Sequence, residues 1–374
     1  MAQEDLYRRL QRHLDRMPIG FPATESGVEI RILKHLFTPE EAEIALELSA
    51  IPEPLPAIHK RLAKSMTAAQ LGEALDRMAA KGSIERHRVG GEPRYGKAIF
   101  AVGMYEYQVD RLTEAFERDA IQYLQGEFGA AFHNKKTPQL RTVPVNRTIA
   151  VERCVATYDD IREFVRTSPG PFARMNCVCR QGRELLGETC RQTRVRDNCL
   201  TIGPAAQAMA HRGVARFIGR EEMLRVLDEA DEEGLVLQPQ NTKNPLFVCC
   251  CCGCCCGVLT SAKRFPCPAE YFSSNYFAEV DGEACQACAT CQTRCQMDAL
   301  SLDGGKTQVD LARCIGCGLC VTTCPSGALR LKQKTTQWVP PDDTPALYTR
   351  ILQQRFGPLG MAVVAGRKVL GMKI

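Results

Sequence analysis

Two copies of one cysteine spacing, C-x2-C-x2-C-x3-C, stand between residues 285 and 324 and constrain the rest of the chain. The first is Cys285, Cys288, Cys291 and Cys295; the second is Cys314, Cys317, Cys320 and Cys324, followed by Pro325. Two-residue gaps let one tight loop wrap three thiolates around an inorganic core. This suits a cubane [4Fe–4S] cluster, which takes four thiolates in a roughly tetrahedral array. The fourth cysteine of each motif follows a short helix and reaches the other cluster. The spacing therefore assigns Cys285, Cys288, Cys291 and Cys324 to cluster I, and Cys314, Cys317, Cys320 and Cys295 to cluster II. Any single C-x2-C pair also suits zinc, but eight cysteines in two such copies favour iron and sulfide.

The flanks alternate as strands do. Tyr276–Asp281 and Thr307–Asp310 precede the two loops, and Ala299–Leu302 and Ala328–Leu331 close them. Residues 275–333 resemble the bacterial two-cluster ferredoxin domain. One departure is Gln296, at a position where the first motif usually has proline. It alters the turn after Cys295 and removes no ligand.

The 374 residues leave room for two to four domains. Hydrophobic residues at 45 % and charged residues at 24 % are ordinary for globular protein, and a net charge of +5 demands no nucleic-acid partner. The N-terminus lacks the apolar core of a signal peptide, and no window reaches the apolar length of a membrane span. With 21 cysteines, eight of them in cluster motifs, the expected setting is a reducing, anaerobic cytoplasm rather than a disulfide-forming compartment.

Along the chain, residues 1–17 read as an amphipathic helix ended by Pro18–Pro22. Thr38-Pro39-Glu40-Glu41 and Thr67-Ala68-Ala69-Gln70 are helix starts, and Pro56–Lys64 is a short basic helix between them. Ser83–Arg86 and Ala98–Val102 read as strands around a Gly90-Gly91 turn. This order resembles a winged-helix domain, with Thr67–Lys81 as recognition helix and Val89–Lys97 as wing. Residues 1–110 hold 15 Lys plus Arg against 16 Asp plus Glu, and only the wing is locally basic, through Arg86, Arg88, Arg94 and Lys97. DNA affinity rests chiefly on phosphate neutralisation, so protein docking is favoured over DNA binding. Residues 105–131 read as one long helix, and 132–148 as a linker.

The middle region holds Cys177, Cys179, Cys190 and Cys199, then Cys249-Cys250-Cys251-Cys252-Gly253-Cys254-Cys255-Cys256-Gly257. Pro204–Arg212 and Arg220–Gly234 read as helices. Packing does not explain seven cysteines in eight positions, since a core would use Val, Ile or Leu. Eleven thiols exceed the four that one zinc or one cubane needs. One structural zinc with spare thiols, one or two further iron–sulfur clusters, and a larger iron–sulfur or mixed-metal centre are all open. Cys154 and Cys267 read as ordinary buried thiols, and His211 as a surface residue. Arg180 follows a ligand and is placed either to donate to cluster sulfur or to form a surface salt bridge. No P-loop, dinucleotide fingerprint or Ser/His/Asp set is present.

This arrangement resembles a family of anaerobe iron–sulfur proteins. They join a Cys-x-Cys…Cys…Cys segment and a Cys-x-Cys-Cys-Gly-Cys-Cys-type run to a dicluster ferredoxin domain. The resemblance spans about residues 145–335. It implies metal ligation by Cys177, Cys179, Cys190, Cys199, Cys249, Cys251, Cys252, Cys254, Cys255 and Cys256. That family has asparagine at the second position of the run, so Cys250 is left outside the set.

After Val339–Pro345, a helix opens at Thr344-Pro345, Phe356-Gly357-Pro358 stops it, and a last helix follows from Gly360. The expectation is a multidomain α+β protein. It comprises a winged-helix-like domain (1–104), a helix and linker (105–148), a helical cysteine-rich metal domain (149–270), a dicluster ferredoxin-like domain (271–336) and a helical tail (337–374). The expected cofactors are two [4Fe–4S] clusters and at least one further iron–sulfur cluster or metal, zinc included. The expected activity is single-electron relay between a redox partner protein and the middle centre, in an oligomer or complex. A small-molecule substrate at that centre would make the protein an oxidoreductase, although no catalytic residue is identified. The alternative is a redox- or metal-sensing regulator that binds DNA.

Overall fold

Capping chemistry sets the first helices of the computed structural model, which describes residues 2–145, 157–369 and 373. Helices α1 (Ala2–Leu14), α2 (Val28–Leu36) and α3 (Pro39–Leu46) are followed by strand β1 (Glu53–Pro54), α4 (Leu55–Leu62) and α5 (Ala68–Ala80). Thr38 and Thr67 each form a full capping box, with Glu41 and Gln70 respectively. Such a cap is worth about 1 kcal/mol. Strands β2 (Ile84–Val89) and β3 (Glu92–Lys97) form a hairpin, and the sheet order is β1-β3-β2.

The hairpin corrects the expected strand at 98–102. Gly90 and Gly91 both take positive φ, 59° and 85°. Such a two-residue turn pairs the residues immediately flanking it. Val89 therefore faces Glu92 and Ile84 faces Lys97. Lys97 is buried rather than part of a basic surface. The long helix expected over 105–131 is also broken. Val109 is extended, Asp110 has φ 65°, and α6 (Glu114–Gln125) starts at Thr113, whose side chain accepts from the Phe116 N–H. Gly126 separates it from α7 (Glu127–His133). Phe21, Phe100, Tyr123 and Phe128 meet edge to face with centroids 5.0–5.8 Å apart, which fixes the core here.

By compactness the chain divides into Met1–Phe132 with Tyr348–Ile374, and His133–Leu347. The second unit carries α8 (Ile161–Thr167), β4 (Phe172–Met175), α9 (Val178–Leu185), β5 (Cys199–Ile202), α10 (Pro204–His211), β6 (Ala215–Ile218), α11 (Arg220–Glu232), β7 (Val236–Pro239), β8 (Phe247–Cys251) and α12 (Gly257–Ala262). The middle domain is thus not simply helical. It is built on a five-stranded antiparallel sheet, β6-β4-β5-β8-β7. Three of the seven cysteines of the run lie in β8, where their small side chains tolerate the two-residue period of a strand.

The same unit continues with β9 (Tyr276–Val280), α13 (Thr290–Arg294), β10 (Leu300–Asp303), β11 (Lys306–Val309), α14 (Leu319–Thr322) and β12 (Leu329–Gln333). β9 pairs with β12, and β10 with β11, all antiparallel. Each cysteine loop is thereby held between a strand and a one-turn helix. The last element, α15 (Thr344–Val369), is kinked at Gly357 (φ 65°) before Pro358. Among the described residues no helix is long and apolar enough to cross a membrane.

Candidate metal centres

The two cysteine loops close around two separate cavities. Cys314, Cys317, Cys320 and Cys295 line one, together with Ala278, Met297, Ile315 and Leu319. Cys285, Cys288, Cys291 and Cys324 line the other, with Thr307, Pro325 and Leu329. The loop shape depends on glycine. Gly316 has φ 67°, and a Cβ there would overlap the Tyr276 carbonyl. Backbone N–H groups point at sulfur in both cavities: Ala278 to Cys314 (3.4 Å), Ala299 to Cys295 (3.3 Å) and Thr307 to Cys285 (3.5 Å). The Thr307 hydroxyl lies 3.5 Å from Cys291 Sγ.

The two cavities differ electrostatically. Burial pushes the Cys317 thiol up to about 12 and raises Cys320 and Cys295 as well. Cys285 is lowered by the Thr307 N–H, and Cys288 by the Thr290 hydroxyl. A metal entering the first cavity must displace protons from buried thiols; the second offers more acidic ligands.

In the middle domain, ten thiols fall into two groups. Cys190, Cys252, Cys254 and Cys255 have all four sulfurs within 4.8 Å of one another. Cys190 lies 3.7 Å from both Cys252 and Cys254, and Cys254 lies 3.6 Å from Cys255. The other six follow one another as neighbours in a closed order, Cys177, Cys179, Cys256, Cys251, Cys249, Cys199 and back to Cys177. Cys251 and Cys256 are 3.2 Å apart. Around this ring the acidities alternate. The neighbouring thiols pull Cys177, Cys256 and Cys249 down and push Cys179, Cys251 and Cys199 up.

Secondary structure explains the sorting. Cys199 on β5 stands opposite Cys249 on β8, and Cys251 follows two residues later on the same face. Cys177 caps α9, Cys179 sits in its first turn, and Cys256 caps α12. The compact group uses the turn after β8 and the loop carrying Cys190. Cys250 points to the opposite face of β8 from Cys249 and Cys251. It is buried, and desolvation pushes its thiol up to about 12. Cys267 is half-buried, free and outside both groups, and Cys154 lies outside the described residues. His211 is exposed, on the Gln207 carbonyl.

Arg180 is not on the surface. At 1 % exposure it is among the most deeply buried side chains. It donates to Asn198 Oδ1 and, at 2.7 Å, to the Cys250 carbonyl. It has no carboxylate partner among the described residues. Burial opposes its charge, but Cys177, Cys252, Cys199 and Cys190 outweigh this and raise its pKa. Two of those thiols belong to the ring and two to the compact group. A buried guanidinium without a carboxylate requires other negative groups nearby, and cysteine sulfurs are what surround it.

Gln296, which the sequence marks only as a departure from proline, makes contacts that the sequence does not reveal. Gln296 is buried, its Oε1 accepts from the Gly253 N–H at 2.7 Å, and its Nε2 donates to Gln192 Oε1 at 2.8 Å. Its identity at a proline position was the available signal. Lys263 pairs with Asp298 at 2.9 Å beside it, and Arg294 donates to the carbonyls of Asp231 and Glu232.

Residues 307–330 match the family described as 4Fe-4S binding domain, a stretch that contains all four cysteines of the second motif. No curated protein matches the chain. The match indicates at least one 4Fe-4S cluster, and with the compact thiol group it suggests iron–sulfur electron transfer.

Proposed function

We propose that this chain relays single electrons through two [4Fe–4S] clusters to or from a cysteine-ligated metal centre in its middle domain, in the service of a redox partner protein. Cluster I would be held by Cys285, Cys288, Cys291 and Cys324, and cluster II by Cys314, Cys317, Cys320 and Cys295. When bound, such clusters take up and release one electron at a time, with potentials set by hydrogen bonds, charge and burial. The observation that carries the reading is the Gln296–Gly253 hydrogen bond. It joins the residue after a cluster II ligand to the residue between two thiols of the compact group, so a hydrogen-bonded route connects the two cysteine regions.

The chain's own groups support these roles. Ala278, Ala299 and Thr307 direct N–H groups at sulfur, which favours the thiolate form and stabilises the reduced state. Arg180 supplies one buried positive charge among the middle thiols. Cys179, Cys199 and Cys249 are half-buried, leaving the ring a solvent-facing edge where a small molecule could react in an oxidoreductase.

The N-terminal elements support a winged-helix unit used for protein docking. Three basic groups around the wing and the candidate recognition helix are engaged internally: Arg86 with Asp76 at 3.1 Å, Lys81 with Glu41, and Arg88 with the Gly91 carbonyl at 2.9 Å. This weakens the local positive field that phosphate binding would use.

Anaerobic reductive titration followed by electron paramagnetic resonance tests the relay. Signals from the ferredoxin clusters and from a third centre should appear, with electrons redistributing among them. A middle domain unchanged at every potential, while both ferredoxin clusters titrate, would sink the relay.

A further inference from the structure

The ten middle-domain thiols are sorted by geometry as well as by sequence. In the compact group three sulfur separations are 3.6–3.7 Å, and all four sulfurs lie within 4.8 Å of one another. Four thiolates on one tetrahedral ion at about 2.3 Å stand about 3.8 Å apart. A cubane caps four different irons with its four thiolates and spreads them wider. Cys190, Cys252, Cys254 and Cys255 are therefore dimensioned for a single ion.

The six remaining thiols are arranged differently. They follow one another around a closed circuit, and among the described residues no three of them lie mutually within 4.8 Å. Six ligands exceed the four positions of one tetrahedral ion, and their circular order surrounds a centre instead of converging on a point. The circuit draws on both strands of the β5–β8 pair and on residues beginning α9 and α12, which fixes it from four directions.

We infer that the middle domain holds two distinct metal centres. One is a mononuclear zinc or iron site on Cys190, Cys252, Cys254 and Cys255. The other is a polynuclear metal–sulfide site inside the ring of Cys177, Cys179, Cys199, Cys249, Cys251 and Cys256. This rests on the reading that the middle domain binds metal at all. Consecutive residues Cys251–Cys252 and Cys255–Cys256 place one peptide unit between the two centres at two points.

The test uses full-length protein purified without oxygen, with metals and acid-labile sulfide counted, alongside Cys254→Ala and Cys199→Ala. The expected result is loss of one metal equivalent and no sulfide in Cys254→Ala. Cys199→Ala should lose several irons together with sulfide. If both variants lose the same metals and sulfide, the two-centre inference is overturned. Should either variant fail to fold, wild-type counts decide, once about eight irons and as many sulfides are assigned to the two ferredoxin cubanes. The remainder expected is one metal without sulfide and several irons with it. A remainder of one kind only rejects two centres but leaves metal binding standing; no remainder rejects the parent reading itself.

Discussion

The backbone N–H of Gly253 donates to Gln296 Oε1 at 2.7 Å, so the turn of the cysteine run rests directly on the residue that follows Cys295. A Cβ at 253 would overlap the Gln296 carbonyl. Gly253→Ala should destabilise the unit by about 1–3 kcal/mol through overpacking. It should also slow electron exchange between the two cysteine regions while leaving all eight ferredoxin ligands in place. Denaturant melts and freeze-quenched reduction would show it; wild-type stability and wild-type exchange would refute the contact's role.

Arg180 is the counter-charge for thiols of both middle groups. Removing one partner from a buried charge set costs about 3–5 kcal/mol. Arg180→Met should lose metal from the middle domain and keep the ferredoxin chromophore, with Arg180→Lys retaining part of both metal and stability. Metal counts and visible spectra of the two variants check this. Full metal loading in Arg180→Met would contradict it.

Cys250 and Cys251 are neighbours that the alternation along β8 turns to opposite faces. Cys250→Ala should cost about 1 kcal/mol and keep the metal content. Cys251→Ala should deplete it. Equal depletion in both would mean that Cys250 is a ligand after all.

How much of this could be read in advance depends on the range of the signals. The expected ligand sets come from local spacing alone, and the cavities are lined by Cys314, Cys317, Cys320 and Cys295 and by Cys285, Cys288, Cys291 and Cys324. The helix starts at Thr38 and Thr67 were legible because a capping box lies within four residues. The sheet under the middle domain was not, since β4, β5 and β6 are four-residue strands whose partners lie far apart in sequence. Without β8 as a strand, no feature of the run separates Cys250 from its neighbours by geometry. The burial of Arg180 likewise depends on Asn198 and the Cys250 carbonyl, both remote in the chain.

Lys97 is buried beside the His13 carbonyl, and desolvation, with Arg16, Lys373 and Arg367 nearby, lowers its pKa to about 7. The unfolded value is near 10.5. Between these values the unfolded chain holds a proton that the folded one lacks, so stability rises with pH from about 7 to 10. The slope is at most about 1.4 kcal/mol per pH unit. Lys97→Met should flatten that rise and gain stability at neutral pH and below. Thermal melts across this range measure the difference, and parallel curves for both proteins would show that Lys97 is not charged differently on folding.

The claim beneath all of this is that metal occupies the middle domain in addition to the ferredoxin motifs. Iron, acid-labile sulfide and zinc counted on oxygen-free protein test it most directly. The expected result is well above the about eight irons that two cubanes supply, with sulfide to match and at most one zinc. About eight irons, no zinc, and freely titrating thiols at Cys249–Cys256 would contradict it.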